Sequence, residues 1–379
     1  MPKSSVFVYV INVDWYFDLH WVQRARAKLD SGDEVHIIMS QTDPEIFERL
    51  TEFGFVCHVW NIDRRSINPF VSVLRLFDLY RLLKAIQPEI IHSITIKPNI
   101  FVGLIAHILK IPYVMSVTGT GIIFSGKTLV IRVVRPIVRC LYKLADTKTK
   151  RKLIFENYSD RDYFVETGLC RKDEAVAILG AGVDIDVFNQ VPERHTEQPV
   201  VLFAGRLLWD KGLGDLVDAG RLLREQDVDF TIKVAGIVDH DTINAIAEKT
   251  LDQWHEQGLI ERLGNVKDMP SLLAETNIVV LPTYYGEGVP RILIEAGACG
   301  RAVVTTDMPG CREIVSHRVN GLLVPSRNVE KLAEALAELI QSPELREELG
   351  QAGREKVKRF FSEQQVIGET MQLYEELLE

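Results

Sequence analysis

A chain of 379 residues exceeds what one hydrophobic core normally serves, so two domains are expected. With 46% apolar and 26% charged residues it has a globular composition, and a net charge of −9 argues against a nucleic-acid-binding surface over the whole molecule. The five cysteines (Cys57, Cys140, Cys170, Cys299, Cys311) form no C-x-x-C pair and leave an odd one, which suits reduced thiols in the cytoplasm rather than a disulfide framework.

In the first half, residues 6–13 read as a strand, too short for a signal-peptide core. A helix is expected around 20–27, strands at 34–39 and 55–59, a helix at 72–85, and a strand at 88–92. A helix at 99–109 and a strand at 112–117 follow. The apolar run 100–109 contains His107, so it reads as a buried helix and not a membrane span. Regular alternation predicts a parallel, doubly wound sheet whose ligands bind beyond the strand C-termini. The loops there carry Asn12, Asp14 and His20, then Ser93, Thr95 and Lys97, then Thr118 to Gly121. The loop after the first strand lacks glycine, so a dinucleotide site is not expected.

Residues 126–152 hold nine Lys and Arg against one acid, Asp146, in an otherwise acidic chain. Arg132, Arg135, Arg139 and Lys143 recur at steps of three and four, forming one helical stripe, with Pro136 expected to kink or restart the helix. A basic amphipathic segment suits docking on an anionic membrane surface; the alternative is a solvated helix face.

In the second half, strands are expected at 153–156 and 175–179, with a helix opened by 157–159. The polar stretch 190–199 reads as a hinge. A buried strand at 200–204 runs into G-R-L-L-W-D-K-G, whose Arg206 and Lys211 can present two cations beside a diphosphate. Strands at 231–238 and 263–266 follow, with a helix at 242–257. A strand at 278–281 then enters the turn Tyr285-Gly286-Glu287-Gly288. Pro290 is expected at the first helical position, the helix running to about Cys299 with Gly300 as its stop. Such a strand–turn–helix offers amides and a positive helix end to an anion, and Glu287 and Glu295 bracket it. A strand at 303–305 and a final helix at 362–379 complete the chain. Three D-x-D pairs occur (Asp160/Asp162, Asp184/Asp186, Asp239/Asp241), a short pattern that arises often by chance. The first sits at a helix capping position, and the third is the best metal candidate but also fits an N-cap for the helix at 242–257, so no metal site is expected. No zinc spacing and no G-x-S-x-G is present.

The E-x7-E spacing from Glu287 to Glu295, within P-T-Y-Y-G-E-G-V-P-R-I-L-I-E-A-G-A-C-G, resembles the donor signature of the family 4 retaining glycosyltransferases. G-R-L-x-x-x-K-G at 205–212 is similar to a second motif of that family. The D-W-Y-F…H run, I-H-S-I-T-I-K-P-N and T-G-T-G resemble the acceptor half of members that extend polyprenyl-diphosphate-linked sugars, although Trp21 stands where Arg is usual. The resemblance implies the GT-B fold, two Rossmann-like domains facing a cleft: 1–190 for the acceptor, 191–361 for the donor, and a helix at 362–379 crossing back. It implies that Arg206 and Lys211 hold the diphosphate with the backbone of Gly288, Val289, Pro290 and Arg291. Glu287 would serve the donor sugar, Glu295 the ribose, and the backbone at Val266 the base. Asp14, His20, Lys97, Thr118 and Gly119 would face the acceptor. The implied reaction is retaining, metal-independent transfer of a hexose or N-acetylhexosamine, with no cofactor, from a UDP-sugar to a lipid-linked sugar at the inner face of the cell membrane. A nucleotide-sugar 2-epimerase of the same fold and an inactive binding protein are the alternatives.

Overall fold

The computed structural model describes residues 5–62, 68–119, 129–145, 149–193, 198–239, 242 and 244–379. The chain forms two compact units, Met1–Ala181 with Val366–Glu379, and Gly182–Gln365.

The first unit runs β1 (Val6–Val10), α1 (Asp14–His20), α2 (Val22–Asp30), β2 (Glu34–Met39), α3 (Pro44–Glu52), β3 (Val56–Val59) and α4 (Pro69–Ile86). It continues β4 (Ile90–Ile94), α5 (Ile96–Leu109), β5 (Tyr113–Val117), α6 (Leu129–Leu144), β6 (Arg151–Phe155), α7 (Tyr158–Glu166) and β7 (Ala175–Ala177). The strands form a parallel sheet ordered β3-β2-β1-β4-β5-β6-β7. Side chains alternate across a strand, and β1 shows the consequence. Val8 and Val10 enter a core shared with α4, α5 and α6, while Phe7 and Tyr9 enter a second core on the opposite face. Both faces are covered, which is why the central strands are buried along their length, and the polar residues they carry, His92, Ser93 and Ser116, are hydrogen-bonded.

The second unit contains β8 (Val200–Ala204), α8 (Leu213–Arg224), β9 (Thr231–Ala235), α9 (Glu248–Glu256), β10 (Glu261–Gly264), α10 (Met269–Ala274) and β11 (Ile278–Leu281). It goes on to α11 (Arg291–Ala298), β12 (Ala302–Thr306), α12 (Pro309–Ile314), β13 (Leu322–Val324), α13 (Val329–Gln341) and α14 (Pro343–Phe360). Its parallel sheet is ordered β10-β9-β8-β11-β12-β13. The last helix, α15 (Glu363–Leu378), packs in the first unit, with Val366, Leu373, Tyr374 and Leu377 in the core that holds Phe7 and Tyr9. Its Tyr374 hydroxyl lies 3.1 Å from the Tyr9 hydroxyl and 2.5 Å from His92 Nδ1, and His92 Nε2 lies 2.7 Å from Ser116 Oγ.

Several boundaries differ from the sequence expectation. The helix expected at 20–27 is two helices broken at Trp21, whose buried indole lies under the Arg24 guanidinium. The strand expected to reach 238 ends at Ala235, because Gly236 passes so near the Gly205 carbonyl that a Cβ would lie 1.9 Å from it. The strand expected at 263–266 is Glu261–Gly264, leaving Val266 in the loop beyond it. The helix expected from 242 begins at Glu248. Pro290 is the N-cap of α11 rather than its first helical residue, and Gly300 follows the helix with φ 69°. Helix α6 runs unbroken through Pro136. The α7 cap is Asn157, whose side chain accepts from the Asp160 amide at 2.7 Å, so neither aspartate of that D-x-D is the cap.

Candidate active site

Each sheet reverses its strand order once, between β1 and β4 in the first unit and between β8 and β11 in the second. A parallel sheet opens a crevice beyond the strand C-termini at such a point, because successive crossovers leave on opposite faces. The residues singled out by the motifs gather at these two places.

In the second unit, β8 ends at Ala204 and the chain passes through Gly205 and Arg206 into a single 3-10 turn, Trp209–Lys211. Gly212 then starts α8 with φ 81°, and a Cβ there would lie 2.1 Å from the Pro282 carbonyl. Only glycine allows the β8 and β11 loops to lie this close. The contact is stitched by the Tyr284 amide donating to the Asp210 carbonyl at 2.9 Å. The result brings Lys211 and Glu287, 76 positions apart, into an ion pair through Lys211 Nζ and Glu287 Oε2. The pair is mostly shielded, with side-chain exposures of 11% and 19%. The other Glu287 oxygen is 3.2 Å from the Thr283 hydroxyl, which also reaches the Asp210 carbonyl and accepts from the Tyr285 amide. Thr283 is fully buried.

The turn around Glu287 rests on the loop after β12. A Cβ at Gly310 would fall 1.5 Å from the Gly288 carbonyl and 2.9 Å from that of Glu287, so the N-terminus of α12 abuts the turn directly. The Thr306 hydroxyl donates to the Thr283 carbonyl. Cys311, behind the turn, lies 3.2 Å from the Thr305 hydroxyl, and burial pushes its thiol up to about 12. Val289 and Pro290 are buried and lead into α11. Glu295, in the second turn of α11, is buried and accepts from Arg291 Nε at 2.7 Å. Burial pushes its carboxyl above the usual range, and Arg291 opposes that shift. Arg206 stands apart from Lys211 as an ion-pair partner. Its guanidinium lies 3.6 Å from Asp239, with 39% of the side chain exposed. Asp239 also accepts from the Thr242 hydroxyl at 2.7 Å, and Asp241 lies outside the described residues. Among the described residues no group of three or more His, Cys, Asp and Glu side chains is placed to hold a metal.

In the first unit, Asp14 opens α1 and is fully buried. Its carboxylate accepts from the amides of Trp15 (2.8 Å), Thr42 (2.6 Å) and Asp43 (2.8 Å) and from the Thr42 hydroxyl. Both oxygens therefore fasten the loop after β2. His20 closes α1, its ring centroid 4.4 Å from that of Tyr16 with the planes tilted by 44°. Across the strand reversal, the Thr95 hydroxyl donates to Asn12 Oδ1 at 3.1 Å. Thr95 has φ 75°, a strained conformation for a β-branched residue. It starts α5, whose first turn holds half-buried Lys97. Thr118 and Gly119 follow β5, while Thr120 and Gly121 lie outside the described residues. On α6, Arg132 and Lys143 are exposed, Arg135 and Arg139 half-buried, and all four line a groove with Pro136 and Cys140.

The motif reading included Gly212 but gave no part to Thr283, Asp210 and Gly310, which with it hold Lys211 against Glu287. Only Gly310 left a trace in sequence, a glycine inside a helix start after Pro309, where Ala would ordinarily serve better.

Comparison with known proteins bears on the family and the fold. The family described as "Glycosyl transferases group 1" matches residues 184–356, and "Glycosyl transferase 4-like" matches residues 7–157. The chain is 29% identical over 334 residues, 85% of each chain, to the Campylobacter jejuni N,N'-diacetylbacillosaminyl-diphospho-undecaprenol alpha-1,3-N-acetylgalactosaminyltransferase. It is 24% identical over 363 residues, 91% of this chain and 90% of the relative, to the Staphylococcus aureus capsular polysaccharide biosynthesis glycosyltransferase CapM. The Anabaena protein HepE, solved in complex with UDP, superposes with a TM-score of 0.76 at 17% identity, covering 98% of this chain and 99% of its own. Two parallel-sheet units with the GT-B architecture and two consecutive family matches lead to one assignment: the chain belongs to the family 4 glycosyltransferases.

Proposed function

We propose that this glycosyltransferase moves a hexose or N-acetylhexosamine, with retention and without a metal, from a UDP-sugar to a polyprenyl-diphosphate-linked sugar. The observation that supports this most is the meeting of Lys211, Glu287 and Thr283 at the β8/β11 reversal, beside the backbone of 288–290 at the start of α11. Breaking a sugar–diphosphate bond builds negative charge on the leaving group and positive charge on the anomeric carbon. Arg206, Lys211 and the α11 N-terminus supply fixed positive charge for the former, worth roughly 3 kcal/mol per donor at the transition state. The arriving diphosphate competes for the Lys211 ammonium, which releases the Glu287 carboxylate to the sugar hydroxyls. In the same way Glu295 exchanges Arg291 for the ribose diol. The backbone near Val266 meets the base. His20, Lys97, Thr118 and Gly119 contact the acceptor, and Asp14 acts by holding the loops around them. Arg132, Arg135, Arg139 and Lys143 meet an anionic membrane, which places the enzyme peripherally on the inner face of the cell membrane. Two comparisons support the choice of ligands: the Campylobacter relative is named for a lipid-linked diphosphate sugar, and HepE was solved with UDP.

The test is UDP release from a panel of UDP-sugars, with and without a short-chain polyprenyl-diphosphate sugar, in EDTA. Release from one donor that needs the lipid acceptor and ignores EDTA is the expected result. Loss of release in EDTA would overturn the metal-free assignment. UDP-sugar epimerisation without acceptor would replace the transferase reading altogether.

A further inference from the structure

Helix α4 is apolar on two opposite sides, and only one of them has a partner. Leu79 and Leu83 are buried in the core beside α5 and α6, with Leu76, Leu82 and Ile86 packed against it. The opposite stripe carries Phe70 (81% exposed), Val73 (64%), Leu74 (64%) and Phe77 (49%), at the i, i+3, i+4, i+7 spacing of one helix face. This end of the helix is well formed. Pro69 occupies its first turn, and Asn68 Oδ1 accepts from the Phe70 amide at 3.0 Å, so Phe70 is held in the stripe. Continuing along the same face, the stripe turns basic. Exposed Arg81 stacks 4.2 Å from the Phe77 ring, and exposed Lys84 lies 5.8 Å from the Tyr80 ring. An apolar half followed by a cationic half, with cation stems lying along aromatic rings, is the layout of a helix at a lipid–water boundary.

We infer that α4 is a membrane-inserting helix, its Phe70–Phe77 stripe entering the acyl region of an anionic bilayer and its Arg81 and Lys84 meeting the phosphates. The charge pattern selects lipid over a second copy of this chain. The same sheet face also carries α6, whose Arg132, Arg135, Arg139 and Lys143 add four cations and whose Ile137 and Leu144 are exposed. Two copies meeting through this layer would bring like charges together, whereas a lipid surface neutralises all of them. Helix α4 thereby supplies an apolar, salt-resistant component beside the electrostatic one of α6. The inference rests on the lipid-acceptor reading only for its purpose, since vesicle binding needs neither donor nor acceptor.

The experiment is co-sedimentation of the full chain with vesicles of phosphatidylglycerol and phosphatidylcholine, at low salt and at about 1 M salt, where screening acts over only ~3 Å. The wild type is expected to bind at both. F70S/L74S/F77S should lose at least about tenfold of the high-salt partitioning, while F70L/F77L keeps it. R132E/R139E/K143E should weaken low-salt binding alone. Unchanged thermal melting and unchanged turnover with a water-soluble acceptor would show that the serine variant folds. High-salt binding by the folded serine variant equal to wild type overturns the inference. So does a wild-type dimer, in the absence of lipid, that the serine variant converts to monomer. If the α6 variant binds like wild type while the α4 variant does not, the electrostatic reading of α6 fails and the α4 inference stands.

Discussion

The two strand reversals are built alike and furnished differently. Beyond β8 and β11 the side chains are ionic and partly shielded: Lys211 with Glu287, Arg291 with Glu295, Arg206 with Asp239. Beyond β1 and β4 they include neutral hydrogen-bonders, Asn12 with Thr95, and a buried carboxylate, Asp14, is consumed by loop amides. The difference teaches what each place is suited to do. Exchangeable ion pairs can be traded for a ligand, because the cation finds a new anion and the released carboxylate finds hydroxyl donors. A carboxylate satisfied by backbone amides has nothing to trade, so it positions rather than reacts.

The largest effect should come from removing the cation of the second unit. Lys211→Met is expected to lower kcat by about 10²–10³-fold, read by UDP release, and a double-mutant cycle with Glu287→Gln should show coupling of about 1–3 kcal/mol. Additive effects would mean that the pair does not act as one group. Gly310→Ala comes next. With a Cβ directed at the Gly288 carbonyl, the Glu287 turn must shift, costing about 1–3 kcal/mol in denaturant melts and raising the donor KM more than the acceptor KM.

Asp14→Asn keeps the shape and gives up acceptor strength toward two amides. It should cost about 1–3 kcal/mol of stability and raise the acceptor KM with the donor KM little changed. An equal loss in both would break the division of labour between the two places. The smallest effects are in pH dependence, where the two units should differ in sign. Burial holds His92 well below its ordinary 6.5, so the folded state keeps it neutral. Its contribution is complete above 6.5 and is lost as pH falls, by up to about 1.4 kcal/mol per unit. Glu295 is shifted up by burial, so its contribution is complete below the ordinary carboxyl range and is lost as pH rises. Thermal melts across roughly pH 4.5–7.5 should flatten in His92→Gln, and Tyr374→Phe should cost about 1 kcal/mol at any pH by removing the Tyr9 and His92 contacts.

Much of the fold was legible because apolar β-branched runs alternate with helical patterns, which nearly dictates a doubly wound sheet. Strands β2, β8 and β11 fall where the runs predict them, since each is bounded by turn residues. The misplaced ends have local causes that pattern does not carry. Gly236 ends β9 through a backbone approach to Gly205, and Trp21 breaks α1 from α2 through burial. At the site, the charged residues stood out because their types and spacing are chemically unusual. Thr283, Asp210 and Gly310 did not, because a threonine, an aspartate carbonyl and a glycine are ordinary until another loop is laid against them.

By itself the sequence determined the class of architecture, the order of elements and the identity of the charges beyond β8 and β11, since these follow from periodicity, turn chemistry and side-chain type along a local stretch. Tertiary structure alone decided that Lys211 closes on Glu287 across 76 positions, that Asp14 is spent on the loop after β2, and that one face of α4 is left uncovered. Pairing and exposure are properties of what lies opposite a residue, and no one-dimensional pattern specifies that neighbour.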